Sequence, residues 1–366
     1  MTTALQQRLT SGNVRIGSYS GADTVLAFAD PAHELQALNS GCGVFDLNWR
    51  AKIIVTGEDR VRWLNGMVTN NVRDLPLNHG NYNFLLNPQG RILADMYIYN
   101  RGEYLLLDTD RSQLETVMKT LDHFIIMDDV ELADSSETLG AIGICGPKAA
   151  DTLHELSSLH KDASAQPGAA AIHMLHFEEH GPLEVRDLVI NNIGISVVRG
   201  PQQKPGWHEI WAASANLEPL WEMIEKAGAQ PVGAEALESW RILRGIPRYG
   251  QDIRERDLPQ ETEQHQALNF LKGCYIGQEI VERIRSRGQV HRKFTGFEFK
   301  ESLPQPGKIE EGGKVVAEIT STARIPSAAG EKKIGLGYVR RESAPPGSQI
   351  QLNGTSATVL DPPFAF

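Results

Sequence analysis

Over the first hundred residues, apolar and polar positions alternate in short runs bounded by turn-forming residues, the pattern of β-strands. AKIIVTG (51–57) reads as a strand leading into a short helix, EDRVRWLNGMV (58–68). YNFLLN (82–87) and RILADMYIYN (91–100) flank the turn NPQG (87–90), predicting a hairpin, and EYLLLD (103–108) is the next strand. The spacing of Leu114, Val117, Met118, Leu121, Phe124 and Ile125 predicts a helix over 111–127, with Asp110 as N-cap. Further strands are expected at 139–146, around 184–199 and at 208–213, with a surface loop at 161–171. Two helices follow. NLEPLWEMIEKAG has Asn216 as cap, Leu217, Leu220, Trp221 and Ile224 as its stripe, and Gly228 as its stop. AEALESWRILRG turns Leu237, Trp240 and Leu243 inward and stops at Gly245. From about 294 the runs FTGFEF, KVVAEIT, KIGLGYV, QIQL and ATVL predict a small closed β-barrel or sandwich. The expected fold is α+β, with an α+β region over 1–290 and a β-barrel domain over 291–366.

Composition narrows the class. In 366 residues, 34 glycines and 19 prolines favour a turn-rich, sheet-rich protein. A hydrophobic share of 41% and a charged share of 22% are ordinary for a soluble globular chain. MTTALQQRLT lacks the pattern of a signal peptide, and no apolar run approaches a membrane span. Cys42, Cys145 and Cys274 are far apart and odd in number, so a reduced, cytoplasmic setting is expected. A net charge of −10 argues against nucleic-acid binding. Arg283, Arg285, Arg287, His291, Arg292 and Lys293 nevertheless form an acid-free run, suited either to a small polyanion or to a solvated helix end.

Three places carry candidate chemistry. In KGCYIGQE (272–279), Cys274 lies between Lys272 and a glycine, just before the helix QEIVERIRSRG, whose arginines fall in its last turn. A nearby ammonium and a helix N-terminus both favour thiolate, so Cys274 is expected to be reactive; the alternative is a cysteine that merely packs. Cys42 and Cys145, in apolar glycine-flanked settings, fit the packing role, and no metal-ligand spacing surrounds any of the three. In RILADMYIYN, period two puts Ile92, Ala94, Met96 and Ile98 on one face, and Leu93, Asp95, Tyr97 and Tyr99 on the other. A mid-strand carboxylate such as Asp95, or Glu209 in GWHEIWAA, meets either a buried donor or a ligand. Arg241 is the matching candidate cation. From the residues alone, the ligand has no name.

VFDLNWRAKIIVTGEDRVRWLNGMVTNNV, YNFLLNPQGRILADMYIY, GWHEIWAA, RILRGIPRYGQDI and VVAEITSTARIPSAAGEKKIGLGYVRRE together resemble the glycine-cleavage T-protein superfamily over nearly the whole chain. KGCYIGQEIVERIRSRG resembles one branch of it, the folate-binding YgfZ-type proteins involved in iron–sulfur enzyme maintenance. The resemblance implies a T-protein-like multidomain fold around a central cavity for tetrahydrofolate. In it Glu209 matches the glutamate that holds the pterin, Arg241 the arginine of the folate-site helix, and Asp95 one of a pair of aspartates. Tyr275, where T-protein carries phenylalanine, joins these folate-side residues. The departures are Ala94 for the other aspartate, Asp46-Leu47-Asn48-Trp49-Arg50 for Asp-Val-Ser-His-Met, and GPQQKPG (200–206) for Tyr-Thr-Gly-Glu-Asp-Gly. They favour an accessory protein supporting assembly or repair of iron–sulfur enzymes, including tRNA-modifying ones, with Cys274 as working thiol and Lys272 and Asp95 assisting. The alternative is an aminomethyltransferase that passes a one-carbon unit to tetrahydrofolate and meets a lipoyl carrier.

Overall fold

The computed structural model describes residues 3–158, 177–201, 206–288, 290–311, 313–327, 330–342, 345–352 and 355–365. The loop expected at 161–171 and residues 202–205 of GPQQKPG lie outside them. The fold is mixed α/β and divides into two compact units, each assembled from three stretches of chain. The first comprises Met1–Val61, Val72–Asn81 and Tyr97–Ala236; the second comprises Arg62–Asn71, Tyr82–Met96 and Leu237–Phe366.

The first unit carries two larger sheets and a two-stranded hairpin, Arg15–Tyr19 with Ala22–Ala27. One orders the strands Val185–Ile190, Ile193–Arg199, Trp207–Ala213, Leu139–Cys145, Gly43–Asp46 and Gln230–Pro231, antiparallel except for the last pair. Inward-facing Val44, Ile142, Ile144, Val197 and Ile210 pack with Leu5 and Leu9 of helix Ala4–Thr10 and with Leu217, Leu220, Trp221 and Ile224 of helix Leu217–Lys226. The last four are the stripe expected from sequence. Asn216 occupies the cap position, but its side chain makes no cap bond, because the 3₁₀ turn Ser214–Asn216 leads into the helix. The other sheet carries Leu105–Asp110, Arg50–Thr56 and Glu131–Asp134 beside the C-terminal end of strand Ile92–Asn100.

The helix expected over 111–127 is a 3₁₀ turn, Arg111–Gln113, followed by α-helix Leu114–Asp122. Asp110 precedes it without a side-chain cap bond, since its carboxylate accepts from Arg50. Four consecutive apolar residues, Phe124–Met127, cannot share one helix face, and Ile126 and Met127 are exposed.

In the second unit, Asn87 forms the expected hairpin turn, its side-chain oxygen accepting from the Gln89 and Arg91 backbone and its carbonyl from Gly90. Helix Gln278–Arg287 begins after Gly277, which has φ +81°. The C-terminal segment is one antiparallel sheet in the order Gly307–Glu311, Lys314–Ser327, Gly330–Arg340, Arg292–Phe299, Thr355–Leu360, Gln349–Leu352. Bulges at Ile309/Glu310 and Ile319/Ser321 curl it, and Phe297, Phe299, Ile319, Val339 and Val359 fill its concave core. Where sequence suggested a closed barrel, the sheet is a half-barrel: among the described residues no pairing joins its two edge strands.

Candidate functional site

Glu209 lies in the first unit, in mid-strand between two tryptophans, and its side chain retains 14% exposure. The Trp211 indole N–H donates to one carboxylate oxygen at 2.9 Å and the Trp207 indole to the other at 3.4 Å. Lys52 Nζ is 3.9 Å from the same carboxylate and 4.5 Å from the centre of the Trp211 ring. Lys52 is itself buried, pairing with Asp108 at 2.8 Å. Register explains the pairing. In the antiparallel pair of strands Arg50–Thr56 and Leu105–Asp110, Lys52 stands opposite Asp108 and Arg50 opposite Asp110. Arg50 also reaches Asp108 at 3.1 Å. Burial alone would raise the Asp108 carboxyl, but the Arg50 and Lys52 cations hold it below its usual value. Glu209 is therefore an oriented acceptor that keeps part of its surface open. Sequence flagged Glu209 but not Arg50, Lys52 or Asp108, whose significance depends on strand register.

The other candidates belong to the second unit. Asp95 takes the half-buried face of its strand, as the alternation predicts, while Ala94 is on the buried face. The Tyr82 hydroxyl donates to Asp95 at 2.6 Å. Burial first, and the Asp95 charge second, push the Tyr249 hydroxyl well above its ordinary value. Arg241 is buried, and all five of its N–H donors meet protein acceptors: Glu238 twice, the Ile246 carbonyl, Asp252 and the Ser321 hydroxyl. Its evident work is to join helix Ala234–Leu243 to fully buried Asp252.

KGCYIGQE is an anchored loop. The Lys272 ammonium turns inward, donating to the Val68 and Asn70 carbonyls at 2.6 and 2.5 Å and lying 5.2 Å from the Tyr275 ring centre. Asn269 fixes the approach to it. Its side chain accepts from the Leu271 and Lys272 amides, and its own amide donates to the Thr69 carbonyl. The Thr69 hydroxyl in turn donates to the Ala267 carbonyl at 2.6 Å. Tyr275 is buried, which pushes its hydroxyl up to about 12. A Cβ on Gly277 would stand 2.6 Å from the Asn87 carbonyl oxygen, so only glycine lets the loop seat on the hairpin turn. Between these anchors Cys274 is exposed, whereas Cys42 and Cys145 are buried. Of the basic run, Arg292 is bound by Asp257, Glu261 and Glu318, while Arg285 lies over the Phe270 ring and near Glu282.

A strand-borne glutamate oriented by two indoles can accept hydrogen bonds from a ligand that brings N–H donors. The model of the GCVT N-terminal domain matches residues 5–272, and the chain belongs to that family. It is 25% identical over 357 residues to an aminomethyltransferase of Caldanaerobacter subterraneus, covering 96% of this chain and 91% of that one. To an aminomethyltransferase of Alkaliphilus oremlandii it is 26% identical over 352 residues, covering 94% and 91%. The fold matches the glycine cleavage system aminomethyltransferase T of Bartonella henselae with a TM-score of 0.81 at 17% identity, over 98% of this chain and 96% of that one.

Proposed function

We propose that this chain binds tetrahydrofolate and serves its one-carbon chemistry. Glu209 carries the reading: its carboxylate is oriented by Trp207 and Trp211 and keeps an open side, which suits the adjacent N–H donors of a pterin ring. Asp95, held by Tyr82, is the acid assigned to steady or move a proton on the folate. The bound folate would supply the carrier nitrogens for the one-carbon unit. Arg241 acts here as a positioning residue, since its donors are already matched within the protein. The experiment is titration with tetrahydrofolate: Glu209→Gln is expected to weaken binding at least tenfold, about 1.4 kcal/mol, with the melting profile kept. Unchanged affinity would sink the assignment.

Two finer readings divide on what the folate is for. The names of the relatives favour an aminomethyltransferase. Formation of methylenetetrahydrofolate from an aminomethyl-lipoyl carrier, lost in Asp95→Asn, would support it. The exposed Cys274 on its anchored loop, with Ala94 in place of a second aspartate, favours an accessory protein for iron–sulfur enzymes. Its test is complementation of a bacterium lacking the corresponding protein: rescue by the wild type and failure of Cys274→Ser support that reading, and equal rescue by both ends it.

A further inference from the structure

Two members of the basic run, His291 and Arg292, line a groove of about 660 Å³ beside the C-terminal sheet, wholly within the second unit. That volume is in the range of small-molecule sites. At its base Arg254, Arg256 and Arg292 meet Asp257, Glu261 and Glu318, three cations against three acids. Two further cations on the wall, Lys308 and Arg340, are exposed, and their side chains make no hydrogen bond or ion pair among the described residues. Register explains why. Lys308 stands opposite Glu318, which the three arginines already occupy, and Glu318 stands opposite Tyr338. Arg340 follows Tyr338 by two residues, so it takes the same face, where it stands directly opposite Arg292. Like charges at opposed positions repel.

The groove also has an apolar side. Val315 and Val316 both line it and both keep part of their surface open. Neighbours in a regular strand face opposite ways, but a bulge sets Ile309 opposite Ala317 and Glu310 opposite Val315, which breaks the alternation here. With the arginines and acids at the base in balance, Lys308 and Arg340 face only Glu342, so the wall keeps one positive charge. We propose that this groove binds a small organic carboxylate, its head held by Arg340 and Lys308 and its aliphatic body laid on Val315 and Val316. A carboxylate brings the single negative charge that the wall lacks and accepts from both a guanidinium and an ammonium. Beside Arg340 it also offsets the repulsion from Arg292, and its body takes the two valines out of water. The site uses none of the residues assigned to folate and is independent of that reading.

The test follows 4,4,4-trifluorobutanoate by ¹⁹F NMR as the full chain is titrated in at neutral pH and constant ionic strength. Trifluorobutanol, which has the body but no charge, and trifluoroacetate, which has the charge but almost no body, serve as comparisons. Saturable binding of trifluorobutanoate is expected, well above that of either comparison. It should weaken about tenfold in Arg340→Gln and severalfold in Lys308→Gln and Val315→Ser, and tighten in Glu342→Gln, where a repelling charge is gone. Arg340 and Lys308 are exposed, so their variants should keep the wild-type melting profile. Absence of saturable binding, equal binding of trifluoroacetate, or an affinity unchanged in both Arg340→Gln and Lys308→Gln overturns the site. Excess tetrahydrofolate should leave the titration unaltered; displacement by it would place the carboxylate elsewhere and likewise overturn the proposal.

Discussion

Lys52 holds an ammonium ion almost wholly out of water, matched by Asp108 and backed by the Trp211 ring. Removing one member of such a pair leaves the other charge buried alone, so Lys52→Met is expected to cost about 3–5 kcal/mol in urea unfolding. A loss below ~1 kcal/mol would mean that water reaches Asp108. His180 and His208 stack 6.1 Å apart in the same unit, and Arg199 lies 3.3 Å from His208. Burial, then the neighbouring arginine charge, lowers them to about 4 and about 3. Well above pH 6.5 both are neutral, folded or unfolded. As pH falls, the unfolded chain takes up protons first, so stability declines from about pH 6.5 toward pH 3. His180→Gln should flatten that decline in thermal melts across the range. Glu209 and Asp95 were visible in sequence because carboxylates are rare in mid-strand; Lys52 was not, because a strand lysine looks solvent-facing until Asp108 stands opposite it.

Among the elements, the anchored loop shows what local pattern can and cannot reveal. The glycine before the helix and the helix after Cys274 were legible from spacing alone. The destination of Lys272 was not, because Val68 and Asn70 lie about two hundred residues earlier in the chain. The Lys272 ammonium satisfies two backbone carbonyls there. Gly277→Ala would force a left-handed backbone and a clash with the Asn87 carbonyl, costing about 1–3 kcal/mol. Amide hydrogen exchange over 272–280 should quicken in that variant, with the C-terminal sheet unchanged. Exchange that stays at the wild-type rate would show that the loop is not held by this contact.

On the scale of the molecule, each unit gathers stretches that are distant in sequence, and no local signal announces which strand joins which unit. Five of the six C-terminal strands were legible one by one, but the edge strand Gly307–Glu311 and the sheet's open edge were not: edge pairing depends on curvature, which bulges set and alternation does not encode. Burial of Cys42 and Cys145 followed from their apolar surroundings, and the exposure of Cys274 sets it apart from both. Native protein should accordingly take up one equivalent of a maleimide dye and denatured protein three, as counted by mass spectrometry. The wild-type sequence thus comes with a single attachment point for a fluorescent or spin label, so the loop's motions can be watched without first engineering a cysteine.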